Sequence, residues 1–129
     1  MRNQENVWLG VTLGHRKSLP LLKSLIYLDS DNLRFLSCEP LMTELPDLNL
    51  GDVIHWVIAG GQSGRGALAV TDPDWVRRLR DSCLSNDVPF FLKQWGNWAS
   101  NPTPPELELD PKTKGGATLD GRLWREFPA

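Results

Sequence analysis

Four short apolar runs, at residues 7–13, 33–38, 55–59 and 90–95, constrain this chain more than any other feature. Each is rich in β-branched, aromatic or aliphatic residues and stops at turn formers, so each reads as a strand buried along its length. Helical periodicity lies between them. Ser18 is placed to cap a helix over residues 19–27, with Pro20 in its first turn and Leu21, Leu22, Leu25, Ile26 and Leu28 as its apolar stripe. Thr71 or Asp72 is placed to cap a second helix from Pro73 to Ser85. Its Trp75, Val76, Leu79, Cys83 and Leu84 are expected inward, and Arg77, Arg78, Arg80 and Asp81 outward. Residues 43–52 have no helical period, and their Leu45, Leu48 and Leu50 are expected beneath the sheet.

Strand, helix, strand, loop, strand, helix, strand predicts an α/β fold with parallel strands and right-handed crossovers. The continuous apolar character of the strands fits a sheet covered on both faces. Two helices are too few for that, and four strands cannot close a barrel. The chain therefore reads as part of a larger α/β unit, or as a protomer that buries a sheet face in an oligomer. An open edge beside the first strand is expected to favour self-association. Beyond residue 97 the Pro- and Gly-rich sequence predicts an irregular tail, residues 98–129, after an α/β domain at residues 1–97. The tail is expected to end in a small hairpin around an Asp120-Gly121 turn and to fold back through Leu119, Trp124 and Phe127.

Composition narrows the function classes. With 40% hydrophobic and 23% charged residues, the 129-residue chain reads as globular rather than disordered. A net charge of −2 leaves no electrostatic footprint for nucleic acid or an anionic membrane. No apolar segment approaches the ~20 residues that span a bilayer, and the polar opening from Met1 to Asn6 does not read as a signal peptide, so a cytoplasmic location is expected. Six tryptophans imply flat apolar surface in the core or at an interface. The two cysteines, Cys38 and Cys83, lack metal-ligand spacing; Cys83 reads as core, while Cys38 ends a strand beside Glu39.

In a parallel sheet the carboxyl ends of the strands share one rim, where ligands bind. The rim candidates are Thr12, His15, Cys38, Glu39, Gly60, Gly61, Gln62, Ser63, Lys93, Gln94 and Trp95. The loop Gly60-Gly61-Gln62-Ser63-Gly64 turns the backbone sharply, and glycines let a ligand approach main-chain N–H groups; a plain tight turn is the alternative. Arg65 is placed to meet an anion. Pro40 ends the second strand at Glu39, whose carboxylate can accept hydrogen bonds from hydroxyl or amino groups. Lys93 with Gln94 can hold an anionic group, or Lys93 can simply reach water. A hydrolase triad is not expected, since Ser63 has no evident base. A metal pair of His15 and His55 is not expected either, and the glycine loop lacks the Gly-Lys-Ser/Thr ending of a phosphate loop.

Five blocks, Asn6-Val7-Trp8-Leu9-Gly10-Val11, Arg34-Phe35-Leu36-Ser37-Cys38-Glu39-Pro40-Leu41, Trp56-Val57-Ile58-Ala59-Gly60-Gly61-Gln62-Ser63-Gly64, Asp74-Trp75-Val76-Arg77 and Val88-Pro89-Phe90-Phe91-Leu92-Lys93-Gln94-Trp95-Gly96, follow one another along the chain. In this order they resemble a phage-associated family of unknown function that looks like radical S-adenosylmethionine enzymes. Leu119-Asp120-Gly121-Arg122-Leu123-Trp124 is similar to that family's carboxyl-terminal end. The resemblance implies the carboxyl-terminal half of a partial TIM-like (βα) barrel, with the glycine loop along the methionyl or ribose part of S-adenosylmethionine. It implies that the [4Fe–4S] cluster of a complete homologue is held by an amino-terminal half with a cysteine cluster, which this chain lacks. Gln62 stands where the family's loop has Glu, and Leu13-Gly14-His15 stands where an acid follows the first strand. The expectation is a chain that is inactive alone and that works, where it works, as a homo-oligomer, a binding module, or with an amino-terminal-half partner.

Overall fold

Residues 7–29, 31–51, 53–64 and 70–128 are described by the computed structural model. The expected alternation is present: β1 (Trp8–Thr12), α1 (Leu19–Ile26), β2 (Leu33–Cys38), β3 (Trp56–Ala59), α2 (Pro73–Ser85) and β4 (Phe90–Leu92). These four strands form one parallel sheet in the order β1-β2-β3-β4. The first, third and fourth strands are shorter than the apolar runs that encode them. Beyond Leu92 the chain leaves the ladder, and Trp95 and Gly96 donate their N–H groups to Gly116 and Lys114 of the tail.

Cap chemistry sets the helices. Asp72 accepts from the Asp74 N–H at 2.9 Å with Pro73 at the first position, so α2 starts where the sequence places it. Ser18 sits at the α1 cap position without a side-chain bond. A 3₁₀ turn over Arg16–Ser18 precedes it, and His15 Nδ1 caps that turn by accepting from the Lys17 N–H. Only Leu22 and Leu25 of the α1 stripe are fully buried; Leu21 and Leu28 are exposed, because an eight-residue helix covers the sheet with little more than two turns. On α2, Leu84 is exposed and Arg80 is the inverse case. Its side chain is 13% exposed, drawn under the hairpin by Asp120 and by the face of Trp124.

The pleat divides the sheet into two unlike faces. Leu36, Cys38, Val57, Ala59, Phe90 and Leu92 turn to one side, into a core with Leu22, Leu25, Val76, Leu79 and Cys83 of the helices. Leu45, Leu48 and Leu50 of the irregular β2–β3 connection join that core as expected. The other side carries Trp8, Gly10 and Thr12 of β1, Phe35 and Ser37 of β2, Trp56 and Ile58 of β3, and Phe91 of β4, all half-buried or exposed. Cover on both faces, which the apolar strands suggested, is therefore not found among the described residues. Both helices contribute to a single core, and that leaves one face open.

The tail is tied to the far side of the sheet. The hairpin of β5 (Thr118–Leu119) and β6 (Arg122–Leu123) turns at Asp120 and Gly121, with φ of 50° and 82°. The next residues run antiparallel along β4: Leu92 N–H donates to Trp124 O, Glu126 N–H to Phe90 O, and Phe90 N–H to the Glu126 carboxylate. Trp56 Nε1 donates to Glu126 O at 2.8 Å. Leu119 and Trp124 are buried as expected, whereas Phe127 is 64% exposed and lies on the open face, 5.5 Å from Trp56 and 5.2 Å from Phe91 between ring centres.

Candidate functional site

The open face is graded from one end to the other. At the amino ends of β1 and β3 it is aromatic, with Trp8 edge-on to Trp56 at 5.6 Å, and the aromatic layer steps on to Phe91 in the middle row, edge-on to Trp56 at 6.0 Å. Level with Phe91 in the middle come Ile58, Ser37 and Thr12. Polar groups gather at the carboxyl ends. Glu39 directly follows β2 and is joined to Pro40 by a cis bond, and Lys93 and Gln94 follow β4. Glu39 Oε1 accepts from Lys93 Nζ at 3.3 Å, and Glu39 Oε2 accepts from Gln94 Nε2 at 2.7 Å. The Glu39 side chain is 24% exposed and that of Lys93 60%, so the carboxylate lies below a cation that reaches solvent. Gln94 Oε1 is buried with no hydrogen-bond partner among the described residues.

The first three amides of the glycine loop support this cluster from within the fold. Gly60 N–H donates to Cys38 O, Gly61 N–H to Gln94 O at 2.9 Å, and Gln62 N–H to Thr71 Oγ1 at 3.1 Å. Three successive amides that were candidates for a ligand are thus used inside the fold. Gly61 is glycine because a Cβ there would lie 1.8 Å from Trp95 O. At Gly60 the Glu39 side chain occupies the space a Cβ would take, at 2.5 Å from Oε2. Thr71 ties the loop to its neighbours: its Oγ1 donates to Leu41 O, and its N–H donates to Ser100 Oγ. Ser63 is exposed, and Arg65 lies outside the described residues.

Of the rim residues, Glu39, Lys93 and Gln94 are brought into contact, Gly60 packs on Glu39, and Gly61 joins them through Gln94 O. Thr12 ends β1 on the same face. Three others serve the fold. Cys38 points into the core by strand alternation, Trp95 is buried with Nε1 donating to Thr118 O, and His15 caps its turn. His15 follows β1 while His55 precedes β3, so the two lie at opposite ends of a parallel sheet. Burial, then the charge of Arg34, holds the His55 imidazole below its usual range, and its Nδ1 accepts from the Arg34 N–H. The aromatic layer went unrecognised as part of the face. Its signal was in the sequence, as Trp8, Trp56 and Phe91 are each the second residue of an apolar run, and the strand register then steps them across the face.

The donor set does not fit an iron–sulfur centre. The chain has two cysteines, and both are buried. Burial pushes the Cys38 thiol up to about 12 and the Cys83 thiol up as well, whereas a cluster needs thiolates. No group of three His, Cys, Asp or Glu side chains among the described residues is arranged to hold a metal ion. No helix among the described residues is long and apolar enough to cross a membrane.

No curated protein and no solved structure matches the chain. Residues 1–128 match the family described as Protein of unknown function, DUF5131. That match spans the sheet, the rim and the tail alike, and the chain belongs to the DUF5131 family.

Proposed function

We propose that this chain is one half of a TIM-like (βα) barrel, whose open sheet face forms one wall of a ligand site and which binds rather than reacts when alone. The observation that carries this reading is the graded face, aromatic at one end and closed at the carboxyl ends by Glu39, Lys93 and Gln94. Parallel strands in sequential order, with helices on one side only, are the arrangement from which (βα) barrels are built. In a barrel the open face turns inward.

The resemblance to radical S-adenosylmethionine enzymes supplies a ligand class, and the geometry narrows who would hold it. The Gly60, Gly61 and Gln62 amides are committed inside the fold, so recognition at this point of the rim falls to side chains: the Glu39 carboxylate for amino or hydroxyl groups, and the Lys93 ammonium for an anionic one. Any reaction comes with a partner polypeptide that brings the remaining strands and the cysteine cluster. The test is titration of S-adenosylmethionine into the purified chain by calorimetry, beside absorbance and cofactor-cleavage assays. Binding weakened in Glu39→Ala, with no cleavage, is the expected result. Iron–sulfur absorbance and cofactor cleavage by the chain alone would overturn the reading.

A further inference from the structure

We infer that the bare edge of β1 pairs with the β1 of a second copy of this chain, antiparallel about Gly10, in a closed two-fold dimer. The inference rests on the reading of the chain as an open half: among the described residues no strand lies on the outer edge of β1, the edge a partner's strands would take in a barrel, and in the chain alone a second copy takes it. The two edges are not alike. On β4 the outward groups of Phe90 and Leu92 are taken by Trp124 and Glu126 of the tail. On β1 the described residues place a neighbour, β2, on one side only.

The direction of the free groups follows from the ladder. Leu13 N–H donates to Ser37 O across the β1–β2 pair, so Leu9 and Val11 also face β2, and the main-chain groups of Trp8, Gly10 and Thr12 face outward. The edge carries none of the features that keep edges apart: Trp8-Leu9-Gly10-Val11-Thr12 has no charge and no proline, and it is paired as one unbroken register. It is also self-complementary. Pairing centred on Gly10 sets Gly10 against Gly10 and Trp8 against Thr12 as hydrogen-bonded pairs, and sets Leu9 against Val11. The apolar side chains thus meet each other on the core side. Gly10 brings no side chain to the axis, since a Cβ there would strike the Phe35 ring at 2.4 Å.

Assembly stops at two. In the dimer both outer edges are β4 edges already covered by tails, so no third chain can add to the sheet. A head-to-tail ring or fibre would need a bare β4.

Light scattering combined with charge swapping tests this. The wild-type chain is expected at twice the chain mass. Trp8→Lys/Thr12→Lys and Trp8→Glu/Thr12→Glu each set like charges against one another at both pairs, and each is expected at the single-chain mass. Mixed together, they set Lys against Glu at both pairs, and the doubled mass returns as a heterodimer. That return also shows that both variants fold. A wild-type chain that stays at single mass, or a dimer that both double variants leave intact, overturns the β1 pairing. Titration of S-adenosylmethionine into the same samples reads the ligand site separately, so a monomer that still binds through Glu39 rejects the dimer and keeps the half-barrel.

Discussion

Gln94 and Glu39, 55 residues apart, meet through a 2.7 Å hydrogen bond from the Gln94 amide to one carboxylate oxygen, while Lys93 reaches the other oxygen from solvent. The two contacts differ in worth. An exposed ion pair gives roughly 0–1 kcal/mol, so Lys93→Met is expected to leave the urea midpoint nearly unchanged. Gln94→Leu removes the donor to a half-buried carboxylate oxygen and is expected to cost about 1–2 kcal/mol in the same denaturation. A larger loss at Lys93 than at Gln94 would contradict this ranking.

Glu108 anchors the tail and sets its acid response. Its carboxylate accepts from Asp110 N–H, Asn101 Nδ2, Ala117 N–H, and both the N–H and the Oγ1 of Thr118. Burial alone would raise its pKa, but these donors together outweigh burial and hold it at about 2, against an ordinary 4.5. A depressed folded pKa means stability that is full above the ordinary value and is lost as pH falls from there toward the folded one. That loss is expected to be on the order of 2–3 kcal/mol in denaturant melts across this window. Glu108→Gln, which presents an amide to donors, should remove the pH dependence and cost a similar amount at neutral pH.

Gly61→Ala is expected to be among the most damaging small substitutions, at about 2–4 kcal/mol, because its Cβ would meet the Trp95 carbonyl in the main chain rather than a side chain that can swing away. Gly60→Ala meets the Glu39 carboxylate instead and should cost less while moving Glu39 off Gln94. Thermal unfolding ranks the two variants, and equal melting temperatures would refute the difference.

Both cysteines should be silent to a water-soluble thiol reagent at mildly alkaline pH. Cys38 and Cys83 are fully buried, and desolvation keeps their thiols protonated. Two thiols are expected to react in denaturant and neither in the native chain. Fast native labelling of Cys38 would show that the rim opens to solvent.

Elements whose signals are local were legible in the sequence. β2 and α2 fall where the alternation and the Asp72-Pro73 start place them, and the hairpin turns on Asp120-Gly121. Long-range competition decided the rest. Residues 93–95 look like strand, but the tail captures Trp95 and Gly96 and ends β4 at Leu92. Glu108 lies in the stretch Glu106-Leu107-Glu108-Leu109-Asp110, which reads as exposed charge, yet Leu107 and Leu109 face solvent and Glu108 is buried. Nothing local announces four partners that arrive from residues 101, 110, 117 and 118. At the rim, the carboxyl-end rule named Glu39, Lys93 and Gln94, which the structure brings into contact. It named Cys38 as well, which strand alternation sends to the core.

The antiparallel run from Trp124 to Glu126 along β4 also sets an order of events during synthesis. Trp56 waits for a partner made 70 residues later, and Phe90 for one made 36 residues later. Until residue 126 has emerged, the nascent sheet exposes a second hydrogen-bonding edge beside Phe90 and Leu92. A polypeptide that stops between residues 93 and 123 would keep most of the apolar core and still differ in kind. Among the described residues it would leave both edges of the sheet bare, and chains with two bare edges add to one another without limit.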